Sequence, residues 1–181
     1  PGDSEKVWDF AARLLRSHEE YRVRFGAVLT CFCLKRAIPL DTLLGELSRA
    51  DTSEFYAMMG DLLHQQGDKT KAFAAYDSCL QWKDDNISCL NNYAYFLSED
   101  GKQLSKAEEM SYRTIKAEPS NATYLDTYAW ILFLQERYTE AKLYIDQALQ
   151  NDTDSLQSSV IIDHAGDIYA MNGQMQQALE Y

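Results

Sequence analysis

Three histidines and four cysteines carry most of the metal-binding and nucleophilic chemistry open to this 181-residue chain. His18, His64 and His164 stand far apart and form no His-x-x-x-His pair, so the helix-borne zinc site of a metalloprotease is absent from the sequence. Cys31 and Cys33 are separated by a single residue, and no second pair lies near them, so zinc-type spacing is missing. Side chains two apart on a helix point in different directions, and Cys31, Cys33, Cys79 and Cys89 read as small buried apolar residues. There is no glycine-rich phosphate loop and no Gly-x-Ser-x-Gly elbow. Acidic doublets such as Asp84-Asp85 fall among turn residues and read as solvated caps. These residues point to no enzyme, no metal and no cofactor.

The totals narrow the partners. At 46% hydrophobic and 25% charged, the chain has the composition of a globular protein with a core to bury. Eight glycines and three prolines are few breakers for this length, which favours long helices joined by short turns. A formal net charge of −11 repels phosphate backbones and anionic membrane surfaces, so nucleic acid is not an expected partner. No apolar run approaches the ~20 residues that span a bilayer. The longest, Phe25 to Leu34, is broken by Thr30 and bounded by Arg24 and Lys35. The sequence starts at Pro1 without an initiator Met and stops at Tyr181 inside a helical pattern, which reads as a piece of a longer protein.

The elements that must position any site announce themselves by self-similarity. A small residue flanked by apolar ones recurs in Arg22-x-x-Phe25-Gly26-x-x-Leu29, Tyr56-x-x-Met59-Gly60-x-x-Leu63 and Leu90-x-x-Tyr93-Ala94-x-x-Leu97. It recurs again in Leu125-x-x-Tyr128-Ala129-x-x-Leu132 and Ile162-x-x-Ala165-Gly166-x-x-Tyr169, so the small residues are 34, 34, 35 and 37 apart. A second apolar helix pattern follows each, opened by Ile38, Ala72, Ala107, Ala141 and Ala178. Large residues at i, i+3 and i+7 make the buried stripe, and the small residue lets the partner helix approach. Turn signals fall between: Gln66-Gly67-Asp68, Asp100-Gly101-Lys102 and Asn172-Gly173. Ser53 reads as an N-cap. The predicted helices are 4–17, 20–33, 38–49, 53–66, 69–82, 87–99, 104–117, 122–135, 138–150, 157–172 and 175–181.

A period of 34 with a small residue in this pattern resembles the tetratricopeptide repeat family over essentially the whole chain, strongly from Ser53 to Tyr181 and degenerately before it. Pro119 falls where that consensus ends its second helix. The stretches NNYAYFL, LDTYAWILF and DHAGDIY resemble repeats of bacterial cell-envelope members, which implies either the periplasmic side of the envelope or the cytoplasm. The resemblance implies an all-α, right-handed helical-hairpin solenoid, an alpha-alpha superhelix, forming one domain over 1–181. Within it, 1–18 is the second helix of a truncated repeat and 19–52 a degenerate one. Repeats follow at 53–86, 87–121 and 122–158, and 159–181 is truncated.

The resemblance also places the site. In that family, ligands lie on the concave face lined by the first helix of each pair. Carried over, one row holds Val23, Ala57, Asn91, Asp126 and Asp163, and the next holds Ala27, Asp61, Tyr95, Trp130 and Asp167. A third holds Thr30, His64, Ser98, Phe133 and Ala170. The rows contain acids and aromatics but no Lys or Arg, so the basic clamp that grips a partner's C-terminal carboxylate in some members is missing. Asn91, Tyr95, Asp126, Trp130, Asp163 and Asp167 are the candidate groove residues, for a protein or peptide of basic, amide or apolar character. Two alternatives stay open: Trp130 and Phe133 pack between helices, and Asp126 bonds across to the next repeat. Beside a scaffold or adaptor stand two further readings: a self-assembly module that makes homo-oligomers, and an accessory region of a larger enzyme or envelope-assembly protein.

Overall fold

The computed structural model describes residues 49–101, 103–152 and 158–181. They form eight α-helices: α1 (Arg49–Gln65), α2 (Lys69–Trp82), α3 (Ile87–Glu99), α4 (Leu104–Ala117), α5 (Ala122–Leu134), α6 (Tyr138–Asn151), α7 (Ser158–Met171) and α8 (Met175–Ala178). No strand occurs among the described residues. The predicted helices 4–17 and 20–33 and nearly all of 38–49 lie outside them, together with His18, Cys31 and Cys33.

The chain divides into two compact units between Asn86 and Ile87. In the first, α1 packs on α2. In the second, α3 pairs with α4, α5 with α6 and α7 with α8, and the pairs stack as α4 on α5 and α6 on α7. The first helices also touch in succession, α3 to α5 and α5 to α7. This is an all-α arrangement of stacked helical hairpins. Leu125, Leu132, Ile145, Ile161 and Ile168 form the middle of the second unit's core and are almost wholly withdrawn from solvent. Each such side chain contributes about 1.5–3 kcal/mol by leaving water.

The α1–α2 and α7–α8 hairpins close on one device. Gly67 donates to His64 O at 2.9 Å and Asp68 to Leu63 O at 3.0 Å, the paired bonds of a helix that ends in a left-handed residue. The same pair recurs as Gly173 to Ala170 O and Gln174 to Tyr169 O, both at 3.0 Å. Asp68 then caps α2, accepting from Lys71 N, and Asn121 caps α5, accepting from Tyr124 N. Helix α4 stops at Ala117 because Pro119 pushes Glu118 out of helical geometry, to φ −132° and ψ 78°.

Two local expectations need correction. Ser53 is not an N-cap: α1 begins at Arg49 and runs through it. The Ser53 hydroxyl is fully buried and donates to Cys79 O at 3.1 Å, while Asn86 Nδ2 donates to it at 3.0 Å. It ties α1 to the end of α2. The last helix covers only Met175–Ala178, rather than 175–181, since the backbone tightens into short i to i+3 bonds at Glu180. The turn after α5 lacks glycine: Glu136 takes the left-handed place at φ 63°.

Candidate functional site

The first helices of the second unit make a pocket of about 380 Å³. Helix α3 supplies Asn91, Asn92, Tyr95 and Phe96, α5 supplies Thr123, Asp126 and Thr127, and α7 supplies Val160 and Ile161. The local pattern explains why these residues meet. Leu90, Tyr93, Ala94 and Leu97 turn one side of α3 into the core, as Leu125, Ala129 and Leu132 do for α5. Residues 91 and 95, one turn apart, and 126 on the neighbouring helix then fall on the side the first helices share.

The deepest polar groups are Asn91 and Asp126, each 5% exposed. The Asn91 amide donates weakly to Asn92 Oδ1 at 3.4 Å, and its own Oδ1 is buried with no donor in reach among the described residues. Turning the amide over would leave a buried donor unmatched instead. Asp126 faces Nδ1 of His164 with both oxygens, at 2.9 and 3.1 Å. His164 is itself buried and lies flat on Trp130, with ring centroids 4.0 Å apart and planes within 12°. Trp130 stacks in turn on Phe133 at 4.8 Å. Tyr95 closes the other side, its ring centroid 6.4 Å from that of His164. Burial holds the Tyr95 phenol above its ordinary pKa, helped by the nearby Glu99 and Asp126 carboxylates. It is a neutral hydrogen-bonding group at physiological pH.

The predicted residues thus divide. Asn91, Tyr95 and Asp126 share one pocket. Trp130 stands behind it, fixing His164 and through it Asp126. Asp163 and Asp167 are exposed on α7 and do not line it. Both structural alternatives for α5 are present: Asp126 does bond to the next pair, and Trp130 does pack between helices. Sequence reasoning missed Phe96, Thr123, Val160 and Ile161 as lining, and His164 as the partner of Asp126. The spacing between small residues lengthens from 35 to 37 at α7, and that shift hides which α7 residues face the pocket.

The pocket offers hydrogen-bond acceptors, hydroxyls and ring faces. Among the described residues, no lysine or arginine lines it. Among the described residues no group of three or more His, Cys, Asp or Glu side chains is placed to hold a metal ion. Cys79 and Cys89 are buried thiols. No described helix is long and apolar enough to cross a membrane.

Stacked helical hairpins with a small residue at each crossing and a site on the first helices define a class of helical-repeat protein. Residues 53–86 match the tetratricopeptide repeat. A 70-residue stretch is 31% identical to a TPR repeat-containing protein of Pseudomonas aeruginosa, covering 39% of this chain and only 12% of that protein. MamA from Desulfovibrio magneticus RS-1 shares the fold with a TM-score of 0.65 at 17% identity, over 91% of this chain and 92% of that one. A tetratricopeptide repeat protein from Parabacteroides merdae shares it with a TM-score of 0.54 at 16% identity, over 99% and 77%.

Proposed function

We propose that this chain is an interaction scaffold and that the α3–α5–α7 face holds an extended segment of another protein. The observation that carries this is the pocket itself: buried Asn91 Oδ1 is unmatched among the described residues, beside the Asp126 carboxylate and two aromatic rings. A buried acceptor without a donor costs about 1–3 kcal/mol, and a bound peptide or side-chain N–H removes that cost. The ring faces add apolar area and cation–π attraction. A net charge of −11 favours partners with basic segments and speeds their encounter.

A peptide array probed with wild type and Tyr95→Ala tests the reading. Tyr95 is half-buried at the pocket wall, so its truncation strips contact area without opening the core. Wild type should retain a subset of peptides that the variant loses. Retention of the same peptides by both proteins would move binding away from this face.

A further inference from the structure

We infer that the pocket between α3, α5 and α7 is an arginine pocket: it takes one arginine side chain of the bound segment, with Asn91 Oδ1 and the Asp126 carboxylate as acceptors and Tyr95 and Phe96 as the stacking walls. The inference rests on the face reading above and names the chemistry that the face selects. Among the residues that line it, the one buried polar atom without a partner among the described residues is an acceptor, Asn91 Oδ1. Asn91 is 5% exposed and its Oδ1 finds no donor among the described residues. Asp126 has two oxygens and a single recorded donor, His164 Nδ1, so carboxylate lone pairs remain. A ligand group rich in N–H is therefore required, and a carboxylate or phosphate is repelled.

Guanidinium fits this set better than ammonium or a neutral amide. It carries five donors in a planar fork and can serve two separate acceptors at once, whereas ammonium is a compact, strongly hydrated point charge. Tyr95 and Phe96 both line the pocket, with ring centroids 5.7 Å apart and planes inclined by 64°, and a flat cation stacks on such faces. The volume of about 380 Å³ lies at the small end for a ligand site and suits a single side chain rather than a cofactor. The acceptor geometry is set before any ligand arrives. His164 holds Asp126 from one side, and Trp130, stacked at 4.0 Å, fixes the His164 plane. Pre-set acceptors cost little ordering entropy when the guanidinium enters. His164 and Trp130 are thus positioning residues for the Asp126 carboxylate, and Asn91 is the selecting acceptor.

The test is a binding titration of the 181-residue chain, followed by the side-chain amide signal of Asn91 and the ring signals of Tyr95. The probes are alanine pentapeptides, capped at both ends, with arginine, lysine, citrulline or alanine at the centre. Charged hydrogen bonds of about 1.5–3 kcal/mol predict binding of the arginine peptide at least about ten-fold tighter than that of the others. Asn91→Leu should abolish that preference. Because it replaces an unmatched acceptor by an apolar group of similar size, its thermal midpoint should equal or exceed that of wild type, which separates lost selectivity from lost folding. Equal affinity for arginine and lysine peptides, or an arginine preference that survives Asn91→Leu, overturns the inference. Array peptides that bind this face with no arginine advantage overturn the inference alone. Absence of any array peptide lost by Tyr95→Ala overturns the face reading beneath it.

Discussion

Asp126 and His164 stand 38 residues apart, yet their side chains meet at 2.9 Å and both are buried. Replacing His164 by phenylalanine keeps a flat ring on Trp130 but removes the donor, leaving a buried carboxylate without its partner. Breaking a buried pair in this way costs about 3–5 kcal/mol. Asp126 also borders the pocket, so His164→Phe should lose about 3 kcal/mol, read by urea unfolding. A change under about 1 kcal/mol would mean that solvent already satisfies Asp126. Glu136 poses the opposite case. Its left-handed backbone, φ 63°, costs a side-chain-bearing residue about 1–2 kcal/mol, and glycine escapes this at a smaller entropic cost. What holds it is its neighbour. Arg137 bonds Glu108 at 2.6 Å and Glu140 at 2.7 and 2.8 Å, which raises the arginine pKa and depresses that of Glu140. Glu136→Gly should therefore raise stability by roughly 0.5–1 kcal/mol, or about 2 °C in the thermal midpoint. At this scale the sequence is only half legible. Asn91, Tyr95 and Asp126 could be placed by counting turns along similar helices. The His164 partnership could not, because nothing local to either residue announces a bond across a whole repeat.

Helices and turns were far more legible, because the signal is periodic and each repeat checks the last. The helices predicted at 69–82, 87–99 and 104–117 have those bounds in the structure. Counting turns failed where a polar residue has two uses. Ser53 looks like a helix start, yet it is buried inside α1, where it bonds Cys79 and Asn86. The small residues at the helix crossings also share one sequence role but differ in packing. A methyl group added at Gly60 would stand 2.7 Å from Cδ1 of Tyr76, which is wholly buried and hydrogen-bonded to Asp61 at 2.5 Å. That ring has nowhere to retreat. At Gly166 the nearest atoms are Ala178 O at 3.7 Å and Tyr181 Cβ at 3.9 Å, ordinary contact distances. Gly60→Ala should then cost about 1–3 kcal/mol through overpacking. Gly166→Ala, inside α7, should gain about 0.5–1 kcal/mol from helix propensity. Denaturant melts of the two variants should move in opposite directions. Shifts of the same sign would show that the crossing at Gly60 yields to the added methyl.

Over the whole molecule, an acidic chain with twelve tyrosines should answer alkali more sharply than acid. The buried phenols set the direction. Burial, with Glu108 and Tyr144 close by, pushes Tyr128 up to about 12. Tyr169 is raised further by burial and by its 2.5 Å bond to Asp146, and Tyr95 and Tyr124 are raised chiefly by burial. A phenol whose folded pKa exceeds the unfolded value of about 10 keeps its proton longer in the native state. Above pH 10 the unfolded chain therefore binds fewer protons than the folded one, and stability falls as pH rises. Below pH 10 these groups are neutral in both states and their contribution is fully present. Lysines also lose charge in this range, so the net charge grows more negative than −11 and self-repulsion adds to the loss. Helical circular dichroism should collapse between about pH 10 and 12, in step with the ultraviolet absorbance of tyrosinate. Tyr128→Phe keeps the ring against Tyr144, 4.7 Å away, but has no proton to lose, so its collapse should move to higher pH. Tyrosinate that appears gradually from pH 10 while the helices persist would show that these rings reach solvent without unfolding.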